Sequence, residues 1–469
     1  MLGWLQDRLR FVVGMGRAES SRHDLSDGLD WKRSLRAGAK LVKKLLAISA
    51  LLASVLVSGF WHGVGGVSYL SAPMMIGQSS GNPSTSAINY IFPGNNNTGT
   101  WTATSSLRAS PIAATGTLSN FQVLLGTAPG AGAGWSYNVC NLTTSTCTLT
   151  CDVSGASATT CSDTSNSLAV TAGDMVAVRS CPYNTLGCTA GTAPTASATR
   201  MSYEFTSTVG SEAPIFWGGE ASISTAGYYG VGANVRDTNA LPNSAETVAP
   251  TAGTIDRLYA YCTAGLTSGK SWTFTLYKNS SPTNLSVIIS NACAVQSDLD
   301  AGHAVGVNAG DTLAIYANPA SSPTAGVLFG SVRWLPTTAN EYPLFSAAGI
   351  LPATGTRYMS ISGSTTTGSG TESLDQMVIP AGLHVTKSYI SIDTAPGVGT
   401  SRLYDLRSNA GASGWTQQSI ADTATTSTGS GSVAYTAGPT NTIDWRQTVS
   451  GSPAGLTAWA HLSLVVTIP

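Results

Sequence analysis

"PTAGTIDRLYAYCTAGLTSGKSWTFTLYKN", residues 250 to 279, decides how this chain is read. In its last third Trp272, Phe274 and Leu276 alternate with Ser271, Thr273 and Thr275. A period of two puts large apolar groups on one face of an extended chain and hydroxyls on the other, as a half-buried strand requires. Leu258, Ala260 and Cys262 do the same before the glycine-containing turn.

The pattern recurs. "PIAATGTLSNFQVLLGTAPGAGAGWSYNV" starts at Pro111 and "PAGLHVTKSYISIDTAPGVGTSRLYDLRSN" at Pro380, each with the same order of apolar strand, glycine turn and second strand. Downstream, "VTAGDMVAVR" around Asp174 matches "VNAGDTLAIY" around Asp311 and, more weakly, "YTAGPTNTID" around Gly438, where Pro439 stands in for the acid. The pairs Ile91-Phe92, Ile215-Phe216 and Leu344-Phe345 set unit starts 124 and 129 residues apart. That is domain size, far above the roughly 20 to 50 residues of solenoid or propeller repeats.

The expected class is all-β: three tandem antiparallel β-sandwiches over 88–211, 212–339 and 340–469. They follow a helical basic leader (1–44), an apolar signal or anchor segment (45–61) and a linker (62–87). Short strands with Gly, Asn and Pro at the turns favour a jelly roll. An immunoglobulin-like sandwich is the runner-up: Trp272 does lie between Cys262 and Cys293, but the third unit has no cysteine.

Only 10% of the 469 residues are charged, and ten of the 23 Lys and Arg lie in the first 44 positions with five acids. Downstream remain 13 basic and 19 acidic residues, a balance of −6 without a basic stripe. That excludes an electrostatic footprint for nucleic acid. Leu45 to Trp61 is uncharged and preceded by Lys40, Lys43 and Lys44, which predicts export with the leader left in the cytoplasm. The segment suits cleavage after Val57-Ser58-Gly59 or retention as an anchor, and any membrane contact is expected through residues 45–61 alone.

All eight cysteines follow that segment: Cys140, Cys147, Cys151, Cys161, Cys181 and Cys188 in one block, Cys262 and Cys293 in another. An even count in an exported region predicts disulfides rather than zinc, with Cys262–Cys293 the natural pair of the later block and the rest open.

"LLGTAPGAGAGW", residues 124 to 135, invites a phosphate-loop reading, but no helix pattern follows, so a turn between strands is expected. His303, His384 and His461 are scattered and no hydrolase or metalloprotease signature occurs, so no catalytic residue and no cofactor is assigned. Asp298, Asp300 and Asp311 are the densest acids and the candidate calcium ligands. Trp135, Trp272 and Trp415 stand in comparable parts of the units and are expected in the core, whereas Trp101 and Trp217 are the candidates for stacking on a sugar ring. Asn96, Asn141, Asn279 and Asn284 lie in Asn-x-Ser/Thr sequences.

The order "P-x-x-G-T", glycine turn, "W-x-hydrophobic-x-L-x-K-N", then "A-G-D" resembles jelly-roll modules of phage tail, virion-surface and bacterial surface proteins over residues 88–469. The resemblance implies an extracellular or virion-surface structural and adhesion role without catalysis. Alternatives are a lectin-like protein, with or without an associated glycosidase, and a filament or lattice subunit. The expected partner is accordingly another copy of the chain or a cell-surface glycan.

Overall fold

The computed structural model describes residues 72–76, 82–94, 100–182, 191–233, 236–237, 245–349, 351–362, 368–380, 382–456 and 459–468. The basic leader, the apolar segment and Cys188 lie outside the described residues.

The described residues are all-β. Strands β1 (Ala72–Ile76), β9 (Thr199–Ser207), β4 (Gly116–Leu125) and β7 (Thr160–Val170) form one antiparallel sheet in that order. Facing it are β2 (Asn89–Ile91), β8 (Met175–Pro182), β5 (Gly130–Asn141) and β6 (Thr146–Gly155), with β3 (Ser110–Pro111) on β8.

The second sandwich joins β10 (Ala213–Ile223), β20 (Gly326–Pro336), β14 (Gly253–Cys262) and β17 (Gln296–Asp298), with β18 (Val305–Val307) on β14. Its other sheet runs β12 (Arg236–Asp237), β11 (Gly227–Gly230), β19 (Thr312–Ala320), β15 (Ser271–Lys278), β16 (Ser281–Ser290), with β13 (Thr247–Val248) on β19.

The third has β21 (Tyr342–Ala348), β30 (Ala460–Thr467), β24 (Leu383–Ile392) and β28 (Thr426–Tyr435). Opposite lie β22 (Arg357–Met359), β29 (Gly438–Ser450), β25 (Gly397–Ser408) and β26 (Gly411–Ala412), with β23 (Met377–Ile379) on β29 and β27 (Gln418–Asp422) on β25.

Each time the first strand pairs the last, and one order repeats across both sheets, which is consistent with tandem jelly-roll sandwiches. Large side chains of the alternating strands meet between the sheets: Phe121, Trp135 and Tyr137 in the first, Trp272, Phe274 and Trp334 in the second, Tyr404, Trp445 and Leu464 in the third.

The structure shifts three sequence expectations. β1 lies within residues 62–87, read above as linker, because the opening strand "APMMI" pairs with β9. Ile91-Phe92 is therefore not the counterpart of Ile215-Phe216: Ile91 closes β2 and pairs with Val178, whereas Ile215 is in β10. Trp415 does not share the place of Trp135 and Trp272. Those two stand at matching positions of β5 and β15, opposite Pro182 and Pro319, and the same register puts Arg402 of β25 opposite Val449.

"LLGTAPGAGAGW" is a turn that runs into a strand. β4 ends at Leu125 and β5 begins at Gly130, with Gly130 at φ 111° and Gly132 at φ 70° on a bulge between Gly130 and Gly134. Those angles suit glycine and leave no helix N-terminus to hold phosphate.

The AGD and Asn landmarks form one clamp. Asp174 accepts from the Asn141 side chain at 2.7 Å and from Thr171 N at 2.8 Å; Asp311 accepts from Asn279 at 2.7 Å and Asn308 N at 2.8 Å. In the third sandwich the register gives the place of the acid to Asn441, which accepts from Asn409 at 3.2 Å. An amide can accept as a carboxylate does, so the clamp survives the change.

Cys140–Cys147, Cys151–Cys161 and Cys262–Cys293 are disulfides, and Cys181 is disulfide-bonded as well. The third sandwich is held by none.

Candidate functional site

The three sandwiches meet at three seams, and each seam uses the same two kinds of sheet. β3 of the first packs on β14 and β20 of the second, with Ser110 Oγ donating to Gly330 O at 3.1 Å and Ser331 Oγ to Pro111 O at 2.6 Å. β13 of the second packs on β21, β24 and β30 of the third. β23 of the third packs on β1, β4 and β9 of the first. The contacts therefore run first to second, second to third and third back to first.

At the first two seams a turn glycine receives a tyrosine from the next sandwich. Gly173, at φ 96°, faces the Tyr259 ring, and Gly310, at φ 90°, faces Tyr389. A side chain at either place would be strained by the backbone angle and crowded by the ring.

One position of the last strand decides what each seam holds. Opposite Tyr261, Ser391 and Leu124 the register sets Phe329, His461 and Arg200. Phe329 stacks on Phe92 with centroids 5.1 Å apart, and Phe216 meets Phe92 edge-on at 5.7 Å, so the first seam is filled by aromatic packing. Arg200 donates to Ser373 O, and Asp375 partly offsets the burial that lowers its pKa.

At the second seam His461 leaves a cavity of about 470 Å³, walled by Glu246, Asn279 and Thr312 of one sandwich and Asp393, Trp459 and His461 of the next. Glu246 is 4% exposed and accepts from Ser280 N at 2.7 Å and Ser280 Oγ at 3.1 Å. An indole, an imidazole and two carboxylates, with no Lys or Arg among the described lining residues, suit a small ligand rich in hydrogen-bond donors. Sequence reasoning passed over Glu246 and Trp459 and set His461 aside as a scattered histidine. They are more than 200 residues apart at the extremes and carry no shared motif.

The residues singled out in the sequence lie elsewhere. Trp217 is 1% exposed, packed on Phe274 and Tyr229 with centroids at 5.4 and 6.0 Å, so its ring is core and offers no face to a sugar. It alternates inward on β10, which the adjacent "IFW" run hid. Trp101 is partly buried against the first core, its ring 6.2 Å from Tyr137. Trp135 and Trp272 are core, as expected.

Asp298, Asp300 and Asp311 do not form one ligand set: no group of three or more metal-binding side chains occurs among the described residues. Asp298 is committed to local partners, accepting from the backbone at Ser286 N (2.9 Å) and Asp300 N (3.1 Å) and from the His303 side chain at Nδ1 (2.8 Å). Burial pushes its pKa up, and those hydrogen bonds prevail and hold it below the ordinary carboxylate value. The same bond raises the pKa of the half-buried His303. Asp311 serves the turn clamp, with Lys278 Nζ at 3.8 Å.

The third sandwich buries charge that the sequence did not flag. Arg402, where the others have Trp, donates to Pro352 O (3.0 Å), Gln447 Oε1 (3.1 Å), Leu351 O (3.4 Å) and Ala454 O (2.7 Å). Burial lowers its pKa. On β29, Asp444 is fully buried with neither carboxylate oxygen hydrogen-bonded, beside Glu372, Asp375 and Asp405 and opposite Arg407. Burial first, then the acidic neighbours, push its pKa up to about 9. The matching residues of the first two sandwiches are Ala177 and Ala314.

No family model matches the chain, and no curated protein matches it either. Among solved structures, a structure of the Sulfolobus turreted icosahedral virus is 11% identical, covering 84% of this chain and 91% of that one, with a TM-score of 0.17. A structure described by the triple jelly-roll fold and turret assembly of an archaeal virus is 10% identical over 84% and 90%, also at 0.17. At these scores the likeness carries no argument, and the strand order above stands without it.

Proposed function

We propose that this chain is a non-enzymatic structural subunit of an extracellular or virion surface, with adhesion or self-association through the outer faces of its sandwiches. The observation that supports it most is the cyclic packing of the three sandwiches. The first seam buries Phe92, Phe216 and Phe329 as a domain core does, which suits a rigid structural unit. The disulfides of the first two sandwiches favour an oxidising location. Negative-stain images and sedimentation of the purified full chain test this: ordered assemblies or discrete oligomers are expected, and a monomer at every concentration would count against it.

A second reading draws on the cavity at the second seam. A sugar could stack on Trp459 and donate hydroxyls to Glu246 and Asp393. Glycan-array binding lost in Trp459→Ala, with the melting temperature unchanged, would favour it over a purely structural role.

A further inference from the structure

The edges of the three sandwiches are not guarded alike. Opposite Phe121, Leu258 and Ser388 the register sets Asp163, Asp298 and Gly429. Asp163 accepts from Thr150 N of β6 at 2.8 Å, and Asp298 accepts from Ser286 N of β16 at 2.9 Å. β6 and β16 are the outermost strands of their sheets. In both sandwiches a carboxylate therefore occupies an edge amide that would otherwise be open to another strand, and it leaves a negative charge there.

Other features reinforce the guard. Cys151–Cys161 ties β6 to β7, and in the second sandwich the corresponding edge is broken into the three-residue strands β17 and β18.

The third sandwich has neither device. At Gly429 the Gln418 side chain of β27 stands where a carboxylate would, its Oε1 accepting from Ser388 Oγ at 2.6 Å, and no charge is left on β28. β28 is a ten-residue outermost strand, "TSTGSGSVAY", paired on one side only, with β24. It contains no charge and no proline, and Thr426, Thr428, Ser430, Ser432 and Ala434 are exposed. Long uncharged edges are what other sheets avoid, because their free amides and carbonyls add a strand.

We propose that β28 is a docking strand and that its occupant is β28 of a second copy, paired antiparallel about a twofold axis. A twofold contact must be self-complementary. An uncharged strand of Ser, Thr and Gly meets its own copy without like-charge repulsion and with side chains small enough for backbones to pair. The inference narrows the self-association reading above to one edge.

Sedimentation of the disulfide-intact full chain over a wide concentration range, with hydrogen exchange on residues 426–434, tests it. Wild type is expected to dimerise and to slow exchange across β28 as concentration rises. Thr428→Lys and Ser430→Lys, both at exposed positions, are expected to weaken association by roughly tenfold or more with an unchanged melting curve. Thr164→Lys on β7 is expected to leave it intact. A dimer that persists in both lysine variants, without protection of 426–434, would overturn the docking strand and leave self-association standing. A wild-type monomer throughout would overturn both.

Discussion

The second and third sandwiches share a strand order and a register, yet they solve the same positions with different chemistry. Where the second buries Trp272 against Phe274, the third buries Arg402 against four oxygen acceptors; where the second has Ala314, the third has the unpartnered Asp444; where the second plugs its edge with Asp298, the third has Gly429. The second also carries Cys262–Cys293, and the third has no disulfide. A jelly roll needs alternating buried positions and permissive turns, and it tolerates wide variation in what fills them. The differences lie in what fills the shared positions: aromatic and disulfide-bonded in the second, polar and without a disulfide in the third.

The largest effect should come from the paired core position. Trp272→Ala is expected to cost about 3–5 kcal/mol through lost burial and a cavity. Arg402→Ala should cost a similar amount for another reason, since the carbonyls of Pro352, Leu351 and Ala454 lose their donor. Denaturant titration of both variants checks this, and a silent Arg402→Ala would break the comparison.

Reduction is expected to separate the sandwiches next. Removing a disulfide from a small domain costs about 2–4 kcal/mol, less for short loops, so a thiol reductant should expose the first two sandwiches to protease before the third. Mass mapping of the first cleavages reads it out.

Asp444 sharpens the contrast through pH. Its folded pKa, pushed up to about 9, exceeds the ordinary carboxylate value, so from about pH 4 to about pH 9 the unfolded chain has released a proton that the fold retains. Its contribution is fully present below that window and falls as pH rises through it. Asp444→Asn keeps the shape without the proton cost and is expected to stabilise the chain at pH 8 by about 1–3 kcal/mol, with little gain at pH 4. Melting curves at the two pH values decide it, and equal gains at both would discard the buried-acid account.

The smallest effect belongs to the edge guards. Asp298→Ala and Asp163→Ala should each cost about 1–2 kcal/mol by freeing an edge amide, with faster exchange at Ser286 or Thr150 as the local readout.

Much of the fold was legible from alternation. Trp272, Phe274 and Leu276 face inward because a strand has two faces, and glycines with φ above 70° recur where β5 and β25 begin, since only a residue without Cβ turns there easily. The Asp174 and Asp311 landmarks were visible too, although their use as turn clamps was not. The candidate cavity was hidden, because Glu246 and His461 belong to different sandwiches and meet only when β13 packs on β30. Trp217 was misread for the opposite reason: an apolar run does not say which member points inward until the strand has a partner.

Period, turns, cysteine placement and repeat length belong to local chemistry, and the amino-acid order carries them because each acts within a few residues. Pairing of β1 with β9, the exchange of Trp for Arg402, the cavity behind His461 and the open edge at β28 rest on register and on packing between distant segments. Those are set by which surfaces remain to be buried once the strands exist, and no window of sequence contains that information.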